Sequence, residues 1–596
     1  MNVLNRHGYF GSLLGAWSET GNPIYPRYFS NLVEDWVTHL PCNNAATKTN
    51  ATKCTPLGAK RNGVPTCQWD NASLGGSCMT GTFESPWRSL EMGVRMASPW
   101  PSSFFGFQQS PDFSVDARVL MLLGVSEHFK ALLVDGGHPG RGTVNWEMTQ
   151  WLGLLIGAGA WPEITGAAEA VQASFHYLKA LLQSGVYPDG AEIELAAGYD
   201  MGTANEYFGV LNIVKEAGLP PPDPSFISHV EAMWNYGAYV ADPSGCLPRN
   251  GDSDICGTGY SAHVSAFFNR TDWDYVYTNG KTGRAPTHET PSVMFPWAGQ
   301  AVLRSGYDRD ALWCWFDVGP FGSNPFHANR DKLNVLLHAY DSMFLVDSGR
   351  FAYSGNSFSH ARRPYAHATY AHNTLRIDGK EQAQAPSVAR SPRPNSSWSF
   401  AADRDIVQGS MSLWERDFVG RATHSRTVYH QRGSWLVVVD VVTSDRGGRS
   451  VQATWHTHPN ASVTLATNGV AIVGGVNHSN GQPTPAQVAV IPEISSWSSA
   501  KTVRGQLAGH NTSHDQGWFS AHYDDASPST VLVYDAELSA EQKQKVFVWL
   551  LVPSPDKRDV TTDSVEVTGV RNGTVQVSVR VAGKPSQLEV PFEGMS

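Results

Sequence analysis

The strongest constraint on the fold is a change of hydrophobic period near residue 300. Upstream, apolar residues recur at three- and four-residue spacing near 85–97, 113–134, 144–160, 164–184, 194–217 and 225–241. That spacing marks helices that bury one face. FSVDARVLMLLGVSEHFKALLV is the clearest case, with Ser114 placed to cap its start. From about Ala298 onward, short runs of Val, Thr, Trp and Tyr alternate with turn residues, as in ALWCWFDVG, SMFLVDSG, SWLVVVDVVTS, STVLVYDAEL, KVFVWLLV and VQVSVRVAG. These are strand signals at the spacing of an antiparallel sheet. Helices first and strands second predict two packed parts, an all-α part and an antiparallel β part. GRAPTHETP breaks both patterns and puts the boundary near 285–300. The expected division is therefore 1–295 and 296–596, with room for a small C-terminal β subdomain. No internal repeat of fixed period is visible.

Composition narrows the class. Only 16% of the residues are charged while 11% are aromatic, which excludes a disordered chain. No apolar run approaches the ~18 residues of a membrane span. The net charge of −10 argues against a general nucleic-acid binder. Twenty Trp suit sugar stacking or a large core equally well.

Cysteine usage points outside the cell. Cys42, Cys54, Cys67 and Cys78 share an Asn/Thr/Gly-rich stretch, an apparent insertion. Cys246 and Cys256 flank a second loop, and Cys314 is left over. Paired cysteines in coil-like segments fit an oxidising compartment and match no zinc motif. Eight N-x-[ST] sequons, at Asn50, Asn71, Asn269, Asn395, Asn460, Asn477, Asn511 and Asn572, agree with secretion. The first residues, MNVLNRHGYF, lack the apolar core of a leader, so a secreted protein would have its leader outside this sequence.

The densest polar chemistry follows the boundary. His327, His338, His360, His367 and His372 are five of the chain's 21 His. Arg330, Lys332, Arg350, Arg362 and Arg363 lie among them, against only Asp331, Asp341 and Asp347. This is a basic island in an acidic chain. Histidine can act as a base near neutral pH, and arginine pairs with carboxylate or sulfate, so the island suits acid–base chemistry on an anion. Solvated loop residues are the plain alternative. His338 alternates with apolar residues in LNVLLHAYD and reads as structural, whereas His360 and His367 read equally as contacts or as solvated side chains.

PFHANRDKLNVLLHAYDSMFLVDSGRFAYSG and YAHNTLRIDGKEQ resemble the β-domain signature of heparinase II/III-like polysaccharide lyases. WRSLEMGVRM, TVNWEMTQWLGLLIGAGAWPE and YPDGAEIELAAGYDMGTANEYFG resemble three blocks of that family's helical part, in family order. The resemblance covers roughly residues 85–380. It implies an incomplete (α/α) toroid followed by an antiparallel β-sandwich, and β-elimination on an anionic, uronic-acid polysaccharide. Such a reaction must neutralise the uronate carboxylate, remove the C5 proton and protonate the leaving O4.

By the resemblance, Asn145 in TVNWEM supplies the amide that hydrogen-bonds the carboxylate. Its donors would stabilise the developing charge. Asn145 also reads as the N-cap of the helix starting WEMTQWLG. Tyr199 in ELAAGYDMG matches the catalytic tyrosine, and His327 in PFHANRD the catalytic histidine. Which of the two takes the proton depends on C5 configuration. Trp146, Asn329 and Arg363 are candidate substrate contacts, Arg363 also reading as a surface charge.

One position departs from part of the family. Some members carry His-x-His-x-Asp where this chain has His327-Ala328-Asn329-Arg330-Asp331, and there the second His joins an Asp and a later His around zinc. Asp347 and His372 are present here, but Asn329 replaces that ligand. An amide suits Ca²⁺ better than Zn²⁺. The expectation is no cofactor required for the reaction, and either a structural divalent metal or a hydrogen-bonded support without one. Heparinase III-like members also lack that His. The rival activities are a uronyl C5-epimerase of the dermatan-sulfate type, which returns a proton to C5, and a non-catalytic carbohydrate-binding protein on the same fold. The sequence leaves oligomeric state open.

Overall fold

A computed structural model describes residues 4–39, 87–135, 144–254, 256–257, 259–324, 326–383, 387–509 and 514–593, with the short strands Thr55–Pro56 and Cys67–Gln68 between the first two stretches. Bonding of Cys42, Cys54, Cys67 and Cys78 lies outside the described residues.

The chain divides into two compact units, one of residues 1–186 and 202–230, the other of 187–201 and 231–596. The division does not follow the change of period, because a short loop and the last helices before it belong with the sheets.

The first unit is helical. Its helices include Tyr9–Thr20, Ile24–His39, Ser89–Ala97, Val115–Asp135, Val144–Ala160 and Ala167–Gly185. Ser114 caps Val115–Asp135 as its sequence predicts, its hydroxyl accepting from the Ala117 N–H at 2.9 Å. Helices Ser89–Ala97 and Val144–Ala160 touch backbone to backbone. A Cβ on Gly153 would lie 2.2 Å from the Gly93 carbonyl oxygen, so only glycine permits the approach. On the helix's other side Trp151 stacks on Tyr177, with ring centroids 4.2 Å apart. These two contacts fix the helix that carries Asn145.

The second unit begins with Tyr187–Met201 and the end of the helix Pro224–Val240, continues through Ala262–Phe268 and Thr271–Tyr277, and enters its large sheet at Val293–Phe295. The sheet runs antiparallel through Gln300–Arg304, Trp313–Asp317, Val335–Ala339, Ser342–Leu345, Ala471–Val476, Pro483–Pro492, Gln544–Ser554, Trp435–Ser444, Ala422–Gln431 and Arg404–Met411 to Trp398–Phe400. A four-stranded sheet, ordered Ser499–Arg504, Thr530–Glu537, Ser450–His456 and Leu375–Ile377, packs on one face. A three-stranded sheet of Ser564–Arg571, Thr574–Val581 and Lys584–Pro591 covers part of the other face.

Strand Trp435–Ser444 shows why its sequence is apolar on both faces from Trp435 to Val442, apart from Asp440. Leu436, Val438 and Val442 enter the core shared with the four-stranded sheet. Val437, Val439 and Val441 enter the core shared with the C-terminal strands. Side chains alternate faces along a strand, so a strand buried on both sides is apolar at nearly every position, and its one carboxylate, Asp440, is ion-paired with Arg426.

Segment 187–201 is stitched to the sheets. The Asp189 carboxylate accepts from the Trp297 N–H at 2.7 Å and the Ala298 N–H at 3.1 Å. The Ser323 N–H donates to the Ile193 carbonyl at 2.9 Å. Gly322, at φ +93°, lies so close that a Cβ would be 2.5 Å from the Glu194 carbonyl oxygen.

Candidate active site

That stitching brings Tyr199 and His327 together within the second unit. Tyr199 is the third residue of the helix Ala197–Glu216. The loop after Val240 caps this helix start. The Asn250 side-chain oxygen accepts from the Ala197 N–H at 3.2 Å, and the Ser253 hydroxyl from the Gly198 N–H at 2.9 Å. The helix's orphan donors are thereby satisfied from a distant segment. His327 lies in the turn before strand Val335–Ala339, its ring stacked on Tyr199 with centroids 3.9 Å apart and planes 20° apart.

Each ring has its own partners. His327 Nδ1 is hydrogen-bonded to the buried Glu194 carboxylate. Glu194 also accepts from the Asn324 amide at 3.3 Å. A carboxylate at Nδ1 holds the proton there and leaves Nε2 as the basic nitrogen. The Tyr199 phenol oxygen lies 2.8 Å from that of Tyr353, which accepts from Arg350 Nη1 at 3.1 Å. Asp254 grips Arg350 at 2.8 and 2.6 Å. Burial raises the Tyr199 pKa above that of a free phenol, while the Tyr353 hydrogen bond and the Arg350 charge oppose the rise. Tyr199 is therefore a protonated phenol at rest, with a hydrogen-bonded route that would stabilise its anion.

Arg363 has a different role from the one its sequence context suggests. Nη1 and Nη2 pair with the buried Asp252 carboxylate at 2.5 and 2.6 Å, and also donate to the Arg350 and Phe326 carbonyls at 2.6 and 2.5 Å. The four Nη hydrogens are thus used inside the protein. Arg363 joins three segments around the site and has only Nε left for a substrate anion. Asn329 is only 2% exposed, and neither atom of its amide has a hydrogen-bond partner. Burial keeps it from touching a polymer in this conformation. His367 Nδ1–H donates to the Ala328 carbonyl at 3.1 Å.

Asp347 and His372 lie beneath, both fully buried. His372 Nδ1 is 2.8 Å from Asp347 Oδ2, and Nε2 is 3.0 Å from the Ala366 carbonyl oxygen. Both neighbours are acceptors, so both ring nitrogens carry hydrogens. Burial alone would lower the His372 pKa, but the Asp347 charge and hydrogen bond outweigh it and lift it to about 9. Asp347 also accepts from Asn334 at 2.8 Å and the Gly349 N–H at 3.1 Å. Asp331 has a carboxylate oxygen within 4.8 Å of these ligand atoms. The three are grouped closely enough to hold a metal ion, and the Asp347–His372 hydrogen bond joins two of them directly.

Asn145 and Trp146 belong to the first unit. Asn145 is the second residue of Val144–Ala160, so it lies inside the first turn rather than at the N-cap. Its side-chain oxygen is buried without a partner. One turn on, the Thr149 hydroxyl lies 2.5 Å from Glu206, whose pKa burial lifts to about 7. Trp146 is half-buried, with the Arg88 guanidinium 4.8 Å from its ring centroid.

The sequence singled out Tyr199 and His327 but not Glu194, Tyr353, Asp252 or Asp254. Glu194 lies five residues before Tyr199 and Tyr353 three after Arg350. Only the folded chain turns those neighbours into partners.

The chain matches the family model described as Heparinase II/III N-terminus over residues 2–275, and the model described as Heparinase II/III-like, C-terminal over residues 287–550. It is 23% identical over 454 residues to a heparin-sulfate lyase of Bacteroides stercoris, covering 75% of this chain and 62% of that protein. With a heparin-sulfate lyase of Pedobacter heparinus it shares 25% identity over 368 residues, 61% of this chain and 53% of that protein. The chain thus spans less than two thirds of the length of either relative. Among solved structures it is similar to heparinase III, with a TM-score of 0.76 and 16% identity over 99% of this chain and 82% of that one. It is also similar to the heparan sulfate lyase HepC of Pedobacter heparinus, with a TM-score of 0.68 and 19% identity over 100% and 83%. At those identities the likeness carries the fold, helices followed by a large antiparallel sheet domain. Matched over nearly its whole length by the two models, the chain belongs to the heparinase II/III-like family.

Proposed function

We propose that this protein is a polysaccharide lyase that cleaves a uronic-acid polymer by β-elimination. The observation that carries the reading is the stacked Tyr199–His327 pair, with His327 oriented by Glu194 and Tyr199 joined to Tyr353 and Arg350. His327 Nε2 takes the C5 proton, the C5–H electrons form the C4–C5 double bond, and the C4–O4 bond breaks. The raised pKa of Tyr199 makes it the donor that protonates the departing O4. Asn145 offers N–H donors to the uronate carboxylate as charge builds there. Trp146 is the proposed stacking surface for a sugar ring.

The two relatives named heparin-sulfate lyase make heparan sulfate the first polymer to try. Extracellular action is part of the proposal and is supported by the bridged Cys246–Cys256 pair and by the sequons. Asp347 and His372 serve in it as a buried support, either hydrogen-bonded to each other or, with Asp331, around a structural divalent metal ion.

The test is absorbance near ~232 nm on incubation with heparan sulfate, hyaluronan, chondroitin, alginate, ulvan and glucuronan, which reports the conjugated 4,5-unsaturated product of proton abstraction. At least one polymer should give a rising signal, and Tyr199→Phe and His327→Ala should each lower it by about 10²–10⁴-fold. A folded protein that gives no signal on any of them would sink the proposal. Solvent deuterium entering C5 without chain cleavage would replace it with an epimerase.

A further inference from the structure

A second cluster of ligand-type side chains lies in the sheet-bearing unit and is not part of the proposed chemistry. It is built from three distant places in the sequence. Asp242 opens the loop that follows helix Pro224–Val240, His338 stands on strand Val335–Ala339, and His478 lies in the turn after strand Ala471–Val476. One ligand atom from each lies within 4.8 Å of the other two. His478 Nε2 is 2.7 Å from Asp242 Oδ2. The rings of His338 and His478 face each other with centroids 5.1 Å apart.

The cluster is held as a site would be. Asp242 Oδ1 accepts from the N–H groups of Ser244 and Cys246 at 2.7 and 3.1 Å, which fixes the carboxylate and points Oδ2 at His478. His338 is 1% exposed; its Nε2 lies 3.3 Å from the Ser244 hydroxyl, and its Nδ1 has no hydrogen-bond partner. A buried ring nitrogen without a partner is costly, and a bound cation is one way to satisfy it. The His478 side chain is 10% exposed, so an ion has a way in from solvent.

We infer that Asp242, His338 and His478 form a binding site for a divalent transition-metal ion of the zinc class. Two imidazoles and a carboxylate are the donor set such ions prefer, with water in the fourth position. Metal–ligand bonds of about 2.0–2.2 Å place ligand atoms about 3.4 Å apart in a tetrahedron. To reach that geometry the Asp242–His478 contact opens by about 0.7 Å, and the His338 ligand atom, which lies within 4.8 Å of the other two, closes by up to about 1.4 Å.

The site's purpose follows from the loop it would clamp. Residues 242–256 leave the cluster, are closed by the Cys246–Cys256 disulfide, and carry Asn250, Asp252, Ser253 and Asp254. Those four side chains cap the Tyr199 helix and grip Arg363 and Arg350. A metal at the loop's root would stiffen the platform under the proposed active site without touching substrate.

The test uses the full chain, kept oxidised, stripped with a chelator and titrated with Co²⁺, whose visible ligand-field bands report a four-coordinate site. The parent should bind one Co²⁺ with such bands, and Zn²⁺ should displace it and raise Tm. His478→Ala, checked for an unaltered circular dichroism spectrum, should weaken Co²⁺ binding at least tenfold and abolish the Zn²⁺-dependent Tm rise. Asp242→Asn should weaken it similarly, and Asp347→Asn should leave it unchanged. Absent bands in the parent, or bands that survive His478→Ala, would overturn the site. A sulfur-to-cobalt charge-transfer band that appears only with reductant would assign the ion to Cys246, Cys256 and His478 instead, and would overturn it too.

Discussion

The carboxylate of Glu194 decides what His327 is able to do. It is buried, hydrogen-bonded to Nδ1, and contacts no exposed surface. Replacing it by an amide keeps the shape but removes the charge that fixes the tautomer and stabilises the imidazolium. Glu194→Gln should lower kcat by up to ~10⁴-fold, with KM little changed and an unaltered circular dichroism spectrum. A loss below tenfold would remove Glu194 from the mechanism. Its importance is invisible in ELAAGYD, where a Glu reads as any helix-flanking acid. Arg363 illustrates the reverse error. In HARRPY it looks like a free cation, and only the buried Asp252, far away in the chain, turns it into an internal strut.

Strand Trp435–Ser444 carries one charged residue, Asp440, and it connects the sheet to the site. Asp440 is fully buried and accepts from Arg426 Nε and Nη2 at 2.7 and 3.0 Å, from His424 at 2.7 Å and from the Trp549 indole at 3.2 Å. Arg426 in turn donates to the carbonyls of Leu333 and Asn373 at 2.8 and 2.5 Å, close to either end of the histidine-rich stretch. Burial alone would raise the Asp440 pKa, but the Arg426 charge and the His424 hydrogen bond bring it down to about 2, from 3.8. A depressed carboxylate contributes stability that is fully present above 3.8 and lost as pH falls through about 2. Asp440→Asn should therefore cost about 3–5 kcal/mol at neutral pH, because it strands a buried guanidinium. In urea denaturation the gap between parent and variant should shrink as pH falls from 4 towards 2. A gap independent of pH would assign the loss to packing. Periodicity located this strand, and it located six helices. It passed over Tyr9–Thr20 and Ile24–His39, whose Gly11, Gly15 and Pro26 dilute the helical signal.

In the sheet-bearing unit as a whole, three β layers share two cores. The C-terminal strands cover Val437, Val439, Val441, Val548 and Leu550. A chain ending at residue 558 would expose that face and should elute as aggregate on size-exclusion chromatography. A monomeric peak with the parent's Tm would show the last sheet to be dispensable. The sequence by itself determined the order of helices and strands, because hydrophobic period is a local property imposed by the backbone repeat. It also singled out Tyr199 and His327, which stand inside contiguous blocks and which the fold stacks together. Tertiary structure alone decided that segment 187–201 travels with the sheets, that Glu194 and Tyr353 flank the stacked Tyr199–His327 pair, and that Asp242, His338 and His478 meet. Those associations depend on hydrogen bonds and ion pairs between residues far apart in the chain. Their energies exist only once the chain path has brought the partners together and excluded water around them.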